Sequence, residues 1–270
     1  MSDLDGPSGP TERIYAIGDV HGRFDLFRRL LNIIRSDHVR RGAARTRIIL
    51  LGDIVDRGPD AAKMVQGCMS MTGLGDQFIV LKGNHEEMMI QALKGDFDTF
   101  RAWLEFGGRE TLISWGVDPA LLALPATRSG LRKAAKAVGS DVLAWLDRLP
   151  LYVLHNDFLF VHAGIRPAVP ITQQDPNDLL WITDDFLQSN LDHGMTVVHG
   201  HSIVEDGPDV RSNRIGIDTG AYRTERLTAI GIEGEETWYL DTDTRVADNH
   251  ARAHPRASAD PEERTSARSS

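Results

Sequence analysis

The sequence predicts an α/β protein, a sandwich of two mixed β-sheets flanked by helices and carrying a helical insertion. Short apolar runs rich in Ile, Val and Leu recur along the 270 residues, as is typical of strands buried on both faces. Apolar residues at helical spacing separate the first two runs, which predicts a β-α-β unit with parallel strands. The runs stop between residues 86 and 150 and then return closer together, which favours antiparallel pairs in a second sheet.

The predicted strands cover residues 13–20, 47–54, 78–84, 151–155, 158–162, 196–201, 215–218, 227–232 and 237–240. A helix is predicted over 23–35, because its apolar residues recur every three or four positions. The same spacing predicts a helix over 89–103 and another over 131–149 in the strand-free stretch. We interpret residues from about 87 to 150 as a helical insertion lying over one edge of the sheet.

One domain is predicted over residues 12–242, with a disordered tail at each end. Residues 1–11 are rich in Gly, Pro, Ser and Asp, and residues 243–270 are dominated by Asp, Thr, Ala, Arg and Ser. Such segments hold too little apolar surface to offset the entropy lost on folding. The tails are therefore expected to be solvated chain rather than parts of the core.

Composition excludes several classes of function. Thirty Lys and Arg against 39 Asp and Glu give a net charge of −9, which argues against a protein that binds a nucleic-acid polymer. No apolar run approaches the roughly 18 residues that span a bilayer, and no signal-peptide pattern precedes residue 13. The single cysteine, Cys68, allows no internal disulfide and is interpreted as a buried small side chain. We expect a cytoplasmic protein without a membrane partner.

Polar motifs follow several of the predicted strands. They are Gly18-Asp19-Val20-His21-Gly22, Gly52-Asp53-Ile54-Val55-Asp56-Arg57-Gly58, Gly83-Asn84-His85-Glu86, His162 within Phe160–Gly164, and His199-Gly200-His201. Ligands of open α/β sheets bind beyond the carboxyl ends of the strands, so these segments should converge on one crevice. Their flanking glycines permit the tight turns that a crowded site needs.

The chemistry of these side chains predicts a site for two divalent metal ions. Carboxylate, imidazole and amide groups without a thiolate suit a first-row ion, with Mn²⁺ preferred and iron or zinc as alternatives. Asp19 and His21, two positions apart, can present both side chains to one ion, and the two oxygens of Asp53 can bridge two ions. Two ions roughly 3.5–4 Å apart can hold a bridging hydroxide and clamp an in-line phosphoryl displacement.

The three motifs Gly-Asp-x-His-Gly, Gly-Asp-x-Val-Asp-Arg-Gly and Gly-Asn-His-Glu, in that order, resemble those of the metallophosphoesterases of the phosphoprotein phosphatase (PPP) family. The resemblance covers residues from about 13 to 240 and extends to the bacterial serine/threonine phosphatases and diadenosine tetraphosphatases. It implies the calcineurin-like sandwich with a dinuclear metal centre. The implied ligands are Asp19, His21 and Asp53 for one ion, and Asp53, Asn84, His162 and His201 for the other.

The resemblance also implies roles in catalysis. His85 would be the general acid that protonates the leaving group, Asp56 would orient its imidazole, and Arg57 would bind phosphate oxygens together with Asn84. We choose His201 rather than His199 as the last ligand, because residues 201–207 resemble the stretch that follows the ligand histidine of the family.

Glu86 is expected to cap the helix that begins beside it, and Tyr222 is expected either to line the pocket or to pack in the core.

One position departs from the family pattern. Bacterial relatives commonly carry Arg two residues after a tryptophan, where it grips the substrate phosphate, and this chain has Thr183 after Trp181. Threonine provides neither charge nor a planar fork of donors. Either Arg166 reaches the phosphate instead, or the substrate is held less tightly.

Three functions follow as hypotheses. The first is a phosphoserine/phosphothreonine protein phosphatase, in which a metal-bridging hydroxide attacks phosphorus; the segment from Val55 to Gly58 has the form usual in that branch. The alternative is a bis(5'-nucleosyl)-tetraphosphatase, because residues 106–112 resemble those enzymes. The third is a non-catalytic phosphate-binding module, for which only Thr183 speaks. The expected substrate is a phosphorylated protein or a small phosphate ester.

Overall fold

The computed structural model describes residues 12–73 and 75–243, and within them the chain forms two five-stranded sheets. The predicted tails lie outside these residues, apart from Asp243. The strands are β1 (Glu12–Ile17), β2 (Arg45–Leu50), β3 (Phe78–Val80), β4 (Tyr152–His155), β5 (Phe158–Val161), β6 (Thr196–His199), β7 (Asp209–Val210), β8 (Arg214–Gly216), β9 (Thr228–Glu233) and β10 (Glu236–Asp241). The predicted α/β sandwich of two mixed sheets is confirmed.

The first sheet has the strand order β10-β9-β1-β2-β3. β1, β2 and β3 are parallel, as the β-α-β prediction requires, and β9 and β10 close the other edge as an antiparallel pair. The first three strands end earlier than predicted, at Ile17, Leu50 and Val80. The polar residues that follow leave extended geometry, and His21 and Asp53 both have positive φ angles. The motif residues are therefore in loops.

The second sheet has the order β4-β5-β6-β8-β7. The prediction of antiparallel pairs after residue 150 holds for β4 with β5, β7 with β8 and β9 with β10, but β5 with β6 and β6 with β8 are parallel. Parallel neighbours need a crossover of a dozen or more residues, and the long connections after Val161 and His199 provide it. β7 was not predicted, because its two residues are too short to produce a pattern.

The helices are α1 (Phe24–Arg41), α2 (Ala61–Thr72), α3 (Asn84–Leu93), α4 (Phe97–Trp103), α5 (Arg109–Ser114), α6 (Pro119–Leu122), α7 (Arg128–Val138), α8 (Ser140–Asp147), α9 (Pro176–Trp181), α10 (Asp184–Leu187) and α11 (Ala221–Thr224). A π-helical turn, Leu104–Gly108, joins α4 to α5, and a 3₁₀ turn covers Ile171–Gln173. The helices predicted over 89–103 and 131–149 are each interrupted. Gly95 and Gly139 have φ angles of 119° and 90°, which a continuing helix does not allow.

Three apolar clusters hold the layers together. One lies between the two sheets and includes Ile14, Ile49 and Phe160. Another joins the first sheet to the helices on its outer face, and a third packs α9 and α10 against β5 and β6. None of the helices in the described residues is both long enough and apolar enough to cross a bilayer. The layers place the loops after β1, β2, β3, β5 and β6 together.

Candidate metal centre and active site

The residues predicted to bind metal come from five strand ends. Asp19 and His21 follow β1, Asp53 follows β2, and Asn84 opens α3 after β3. His162 directly follows β5, and His201 lies two residues beyond the end of β6. All except the partly exposed His201 are buried. Five separate segments of the chain thus deliver carboxylate, amide and imidazole groups to one place.

Asp53 lies at the centre of this cluster. Its Oδ2 is 3.5 Å from His21 Nε2, and its Oδ1 is 3.5 Å from His162 Nε2. Two groups of possible ligands share it: His21, Asp53 and His85 on one side, and Asp53, His162 and His201 on the other, each with ligand atoms within 4.8 Å of one another. Carboxylate and imidazole donors gathered this closely suit a divalent metal ion.

Asp19 and Asn84 lie at the edges of the two groups. Asn84 Oδ1 is 2.8 Å from His162 Nε2, so it joins the second group. Asp19 Oδ2 accepts a hydrogen bond from the backbone N–H of His201 at 3.0 Å. Its Oδ1 is buried and has no hydrogen-bond partner among the described residues. A buried carboxylate oxygen without a partner is costly unless a cation or another donor meets it, so the residues present fit a metal ion.

Backbone carbonyls orient two of the histidines. His21 Nδ1 donates to Val55 O and His162 Nδ1 donates to Leu51 O, both at 2.9 Å. Each bond places the proton on Nδ1 and leaves Nε2 unprotonated, which is the form that binds a metal. Burial lowers the pKa of His21 and of His201 to about 3 and also lowers the pKa of His162. These imidazoles are therefore neutral, as metal ligands must be.

His85 differs from the other three histidines in its charge environment. Its Nδ1 is 2.7 Å from Asp56 Oδ2, and its Nε2 is 3.9 Å from Asp53 Oδ2. Burial lowers the pKa of His85, but the two carboxylates outweigh burial and hold the pKa above its usual value. Arg57 works in the opposite direction, because its cation disfavours a second positive charge beside it. Of these four histidines, His85, the predicted general acid, is the one whose protonated form the site favours.

Arg57 lies between the Tyr222 ring and the group formed by His21, Asp53 and His85, here called the first metal group; the group of Asp53, His162 and His201 is the second metal group. Its Nη1 is 2.8 Å from His21 Nε2, and its Nη2 is 2.9 Å from His85 Nε2. Its guanidinium carbon lies 4.7 Å from the centroid of Tyr222, whose ring meets His21 edge-on at 5.3 Å. A planar cation in this position can donate two hydrogen bonds to a phosphate group. Of the two places expected for Tyr222, the structure shows the one beside the cluster.

Glu86 has a larger role than the expected helix cap. It does cap α3 by accepting from the backbone N–H of Gly83 at 2.8 Å. The same carboxylate also accepts from the backbone N–H groups of Asp53, Ile54 and Val55 at 2.8, 2.9 and 3.2 Å. Glu86 thereby ties the loop that carries Asp53 to the loop that carries Asn84. Only the cap is local in sequence, so sequence reasoning found that part alone.

His199 and Arg166 lie differently from the residues of the cluster. His199 is buried, and its ring packs edge-on against Phe186 at 5.1 Å, whereas His201 joins the second metal group. Arg166 forms hydrogen bonds with the carboxylates of Asp178, at 2.6 and 2.7 Å, and Asp185, at 2.9 Å. The structure thus gives Arg166 acidic partners rather than a place in the cluster. The expectation that it replaces the arginine missing at position 183 gains no support from this placement.

Comparison with known proteins agrees with this geometry. Residues 12–232 match the family described as calcineurin-like phosphoesterase. A symmetrical bis(5'-nucleosyl)-tetraphosphatase of Nitrosospira multiformis is 23% identical over 288 residues, which cover 88% of this chain and 98% of that protein. Another, of Delftia acidovorans, is 35% identical over 160 residues, which cover 57% of this chain and 45% of that protein. Several further tetraphosphatases also match over less than half of their own length.

Solved structures share the fold. A chain provisionally named a diadenosine tetraphosphatase superposes with a TM-score of 0.59 at 17% identity, covering 87% of this chain and 99% of that chain. A cold-active protein-tyrosine phosphatase of a psychrophilic Shewanella species superposes with a TM-score of 0.57 at 17% identity, covering 87% and 80%. The chain therefore belongs to the calcineurin-like phosphoesterase family and is a metallophosphoesterase, a hydrolase of phosphate esters.

Proposed function

We propose that this metallophosphoesterase hydrolyses dinucleoside polyphosphates, as a symmetrical bis(5'-nucleosyl)-tetraphosphatase does. The observation that carries the proposal is the match to the Nitrosospira multiformis enzyme of that name, which extends over 98% of that protein. This reverses the order expected from sequence, in which Asp56 favoured a protein phosphatase. The family match also favours a hydrolase over the non-catalytic module.

The metal-binding part of the proposal rests on the two groups that share Asp53. Asp19 would join His21 and Asp53 of the first group in holding one divalent ion, with His85 of that group kept as the proton donor. Asn84 would join Asp53, His162 and His201 of the second group in holding the other. The oxygen and nitrogen donors, with no thiolate among them, favour Mn²⁺. When bound, such ions supply Lewis-acid chemistry that neutralises phosphate charge.

The chain's own residues would do the remaining work. The guanidinium of Arg57 would bind the phosphate group beside His21 and His85, because its two terminal nitrogens already lie within 3 Å of both rings. His85 Nδ1 is engaged by Asp56, so Nε2, which lies 2.9 Å from Arg57 Nη2, would be the atom that delivers a proton to the leaving oxygen.

Two aromatic rings flank the cluster and suit a substrate with two nucleobases. Tyr222 meets His21 in the first metal group, and Trp181 meets His201 in the second, with ring centroids 6.4 Å apart. Trp181 is 42% exposed, so its face is open to a ligand. An aromatic face can stack a base with a gain of about 1–3 kcal/mol. A dinucleotide whose phosphate chain crosses the metal groups could use both rings.

The test compares substrates on protein loaded with manganese. We expect kcat/KM to be higher for diadenosine tetraphosphate than for a phosphoserine peptide; the reverse order would refute the proposal. Trp181→Ala and Tyr222→Ala should each raise KM for the dinucleotide by a larger factor than KM for phenyl phosphate. Leu191→Ala removes another exposed apolar side chain, 53% exposed, and serves as the control.

A serine/threonine protein phosphatase remains the second candidate because of the pair formed by Asp56 and His85. The alkoxide of a serine or threonine leaves with difficulty unless it is protonated, whereas a nucleoside diphosphate leaves as a stable anion. The 2.7 Å contact between the two side chains provides the proton donor that the harder reaction needs. Faster turnover of the phosphopeptide in the same assay would select this candidate.

A further inference from the structure

The carboxylate of Asp56 is fully buried and is surrounded by donors. Its Oδ2 accepts from His85 Nδ1 at 2.7 Å. Trp103 Nε1 lies 3.0 Å from Oδ1 and 2.8 Å from Oδ2 and donates to both, and the hydroxyl of Thr111 donates to Oδ1 at 2.6 Å. The side chains of Trp103 and Thr111 are both 0% exposed, so water does not compete for these hydrogen bonds. The orientation of the carboxylate is therefore set by protein donors.

These donors come from the helical stretch between β3 and β4. Trp103 ends α4, and Thr111 lies in α5, on either side of the π-helical turn Leu104–Gly108. In the described part of the chain, the hydrogen bonds of the two side chains go to Asp56 and not to the residues expected to bind metal. Their shared target is the carboxylate that holds His85, the residue expected to protonate the leaving group.

The same helices also hold the backbone at Asp56 and Arg57. Both residues have left-handed φ angles, 68° and 67°, which are unfavourable for side chains other than glycine. The N–H of Asp56 donates to Thr111 Oγ1 at 2.8 Å, and the N–H of Arg57 donates to Gly107 O at 3.2 Å. Gly107 is itself at φ 113°, and a Cβ there would lie 2.6 Å from the nitrogen of Arg57. Only glycine lets the π-turn approach this closely.

We propose that Trp103, Gly107 and Thr111, here called the Asp56 clamp, are positioning residues for proton transfer to the leaving group. Their hydrogen bonds fix Asp56 and Arg57, which in turn fix His85 and the phosphate-binding guanidinium. The inference rests on the proposed phosphoesterase function, because it assigns a purpose to the orientation of His85. The helical stretch is thus part of the catalytic apparatus as well as of the core.

The test uses two substitutions of Thr111, only one of which keeps the hydroxyl. Thr111→Val removes both hydrogen bonds with Asp56 at nearly constant volume, whereas Thr111→Ser keeps them. Loss of such an outer hydrogen bond typically lowers activity by about 10- to 100-fold. We expect a kcat loss of this size for Thr111→Val on phenyl phosphate, with KM within about twofold, and near wild-type kcat for Thr111→Ser. The loss should be much smaller on 2,4-dinitrophenyl phosphate, whose leaving group departs without a proton.

A second variant and two further measurements separate positioning from general damage. Trp103→Phe removes the N–H donor together with part of the buried indole ring, and its kcat loss should again be larger on phenyl phosphate than on 2,4-dinitrophenyl phosphate. Thr111→Val should add no further loss in a His85→Asn background, because the two changes disable one function. Metal content should stay at the wild-type level. Crystal structures should show that the distance from His85 Nδ1 to Asp56 Oδ2 lengthens in Thr111→Val and not in Thr111→Ser.

The outcomes also separate this inference from the proposed function. If wild-type protein hydrolyses no phosphate ester, the proposed function fails, and the crystallographic distance still tests the Asp56 clamp. If the wild type is active and Thr111→Val depends on the leaving group as the wild type does, and also keeps the 2.7 Å contact between Asp56 and His85, the role of the Asp56 clamp is refuted.

Discussion

Gly200 provides a sharp test of the metal centre because it contacts a predicted ligand without being one. A Cβ at this position would lie 2.0 Å from Asp19 Oδ1, and such contacts essentially never fall below 3.0 Å. The φ angle of Gly200 is not in the left-handed region, so the backbone can accommodate alanine. The effect of Gly200→Ala would therefore come from the clash between its Cβ and Asp19 Oδ1. Gly200→Ala should therefore displace the Asp19 carboxylate by at least 1 Å.

The displacement is large compared with what a metal site tolerates. Ligand distances in such sites stay within about 0.2 Å of their ideal values. Asp19 Oδ2 also accepts from the N–H of His201, so a shift on either side of this bond disturbs ligands in both metal groups. We expect Gly200→Ala to weaken binding of at least one ion by about 10- to 100-fold, the range usual for disturbed coordination. Phosphoesterase activity at limiting Mn²⁺ should fall in proportion.

The assay is a titration of metal-free protein with Mn²⁺ by calorimetry, paired with activity at each concentration. Gly67→Ala is the matched control, because Gly67 lies in α2 and its Cβ would meet only Phe24 Cε2 at an ordinary 3.5 Å. The control should bind metal as the wild type does. If Gly200→Ala binds both ions with wild-type affinity, then Asp19 is not a ligand and the assignment of the first metal group is wrong.

Three further results are expected. His85→Asn should lower turnover of phenyl phosphate by about 10²–10⁴-fold with metal content unchanged, as metal analysis and kinetics can check; unchanged turnover would remove His85 from its role. A chelator such as EDTA should abolish activity, and added Mn²⁺ should restore it; activity that survives chelation would contradict a metal centre. Asp37→Asn should lower the free energy of unfolding by about 1–3 kcal/mol at pH 7, because the buried carboxylate accepts from Tyr15 and Trp238. Burial raises the pKa of Asp37, but hydrogen bonds from Tyr15 and Arg40 outweigh burial and lower the pKa below 3.8. The stabilisation by Asp37 should therefore fade as the pH falls through this lowered pKa. Urea unfolding of wild type and Asp37→Asn at pH 7 and about pH 3 measures the difference, and a difference that does not change with pH would contradict this expectation.

The sandwich and the convergence of the polar motifs could be predicted because their signals are local. Buried strands leave contiguous apolar runs, and the residues that follow them meet at one edge for topological reasons. The family resemblance implied Asp53, His162 and His201 as ligands of one ion, and the structure brings their ligand atoms within 4.8 Å of one another. The helix interruptions at Gly95 and Gly139 were missed because the apolar spacing continues across them.

The supporting contacts could not be predicted because they join distant parts of the chain. Trp103 and Thr111 lie 47 and 55 positions from Asp56, and no spacing rule links them. An apolar stripe shows that Trp103 is buried but not that its N–H meets a carboxylate. Glu86 was correctly expected as a cap, yet its bonds to the loop of Asp53 depend on the register of two separate strands. The parallel pairing of β5, β6 and β8 likewise depends on long connections without a pattern of their own.

Anomalous diffraction from crystals grown with Mn²⁺ tests whether Asp53 binds two metal ions at once. Two manganese peaks are expected, one beside each oxygen of the Asp53 carboxylate, with His21 next to one peak and His162 next to the other. A single peak, or peaks that leave Asp53 without a contact, would contradict the binding of two ions by Asp53.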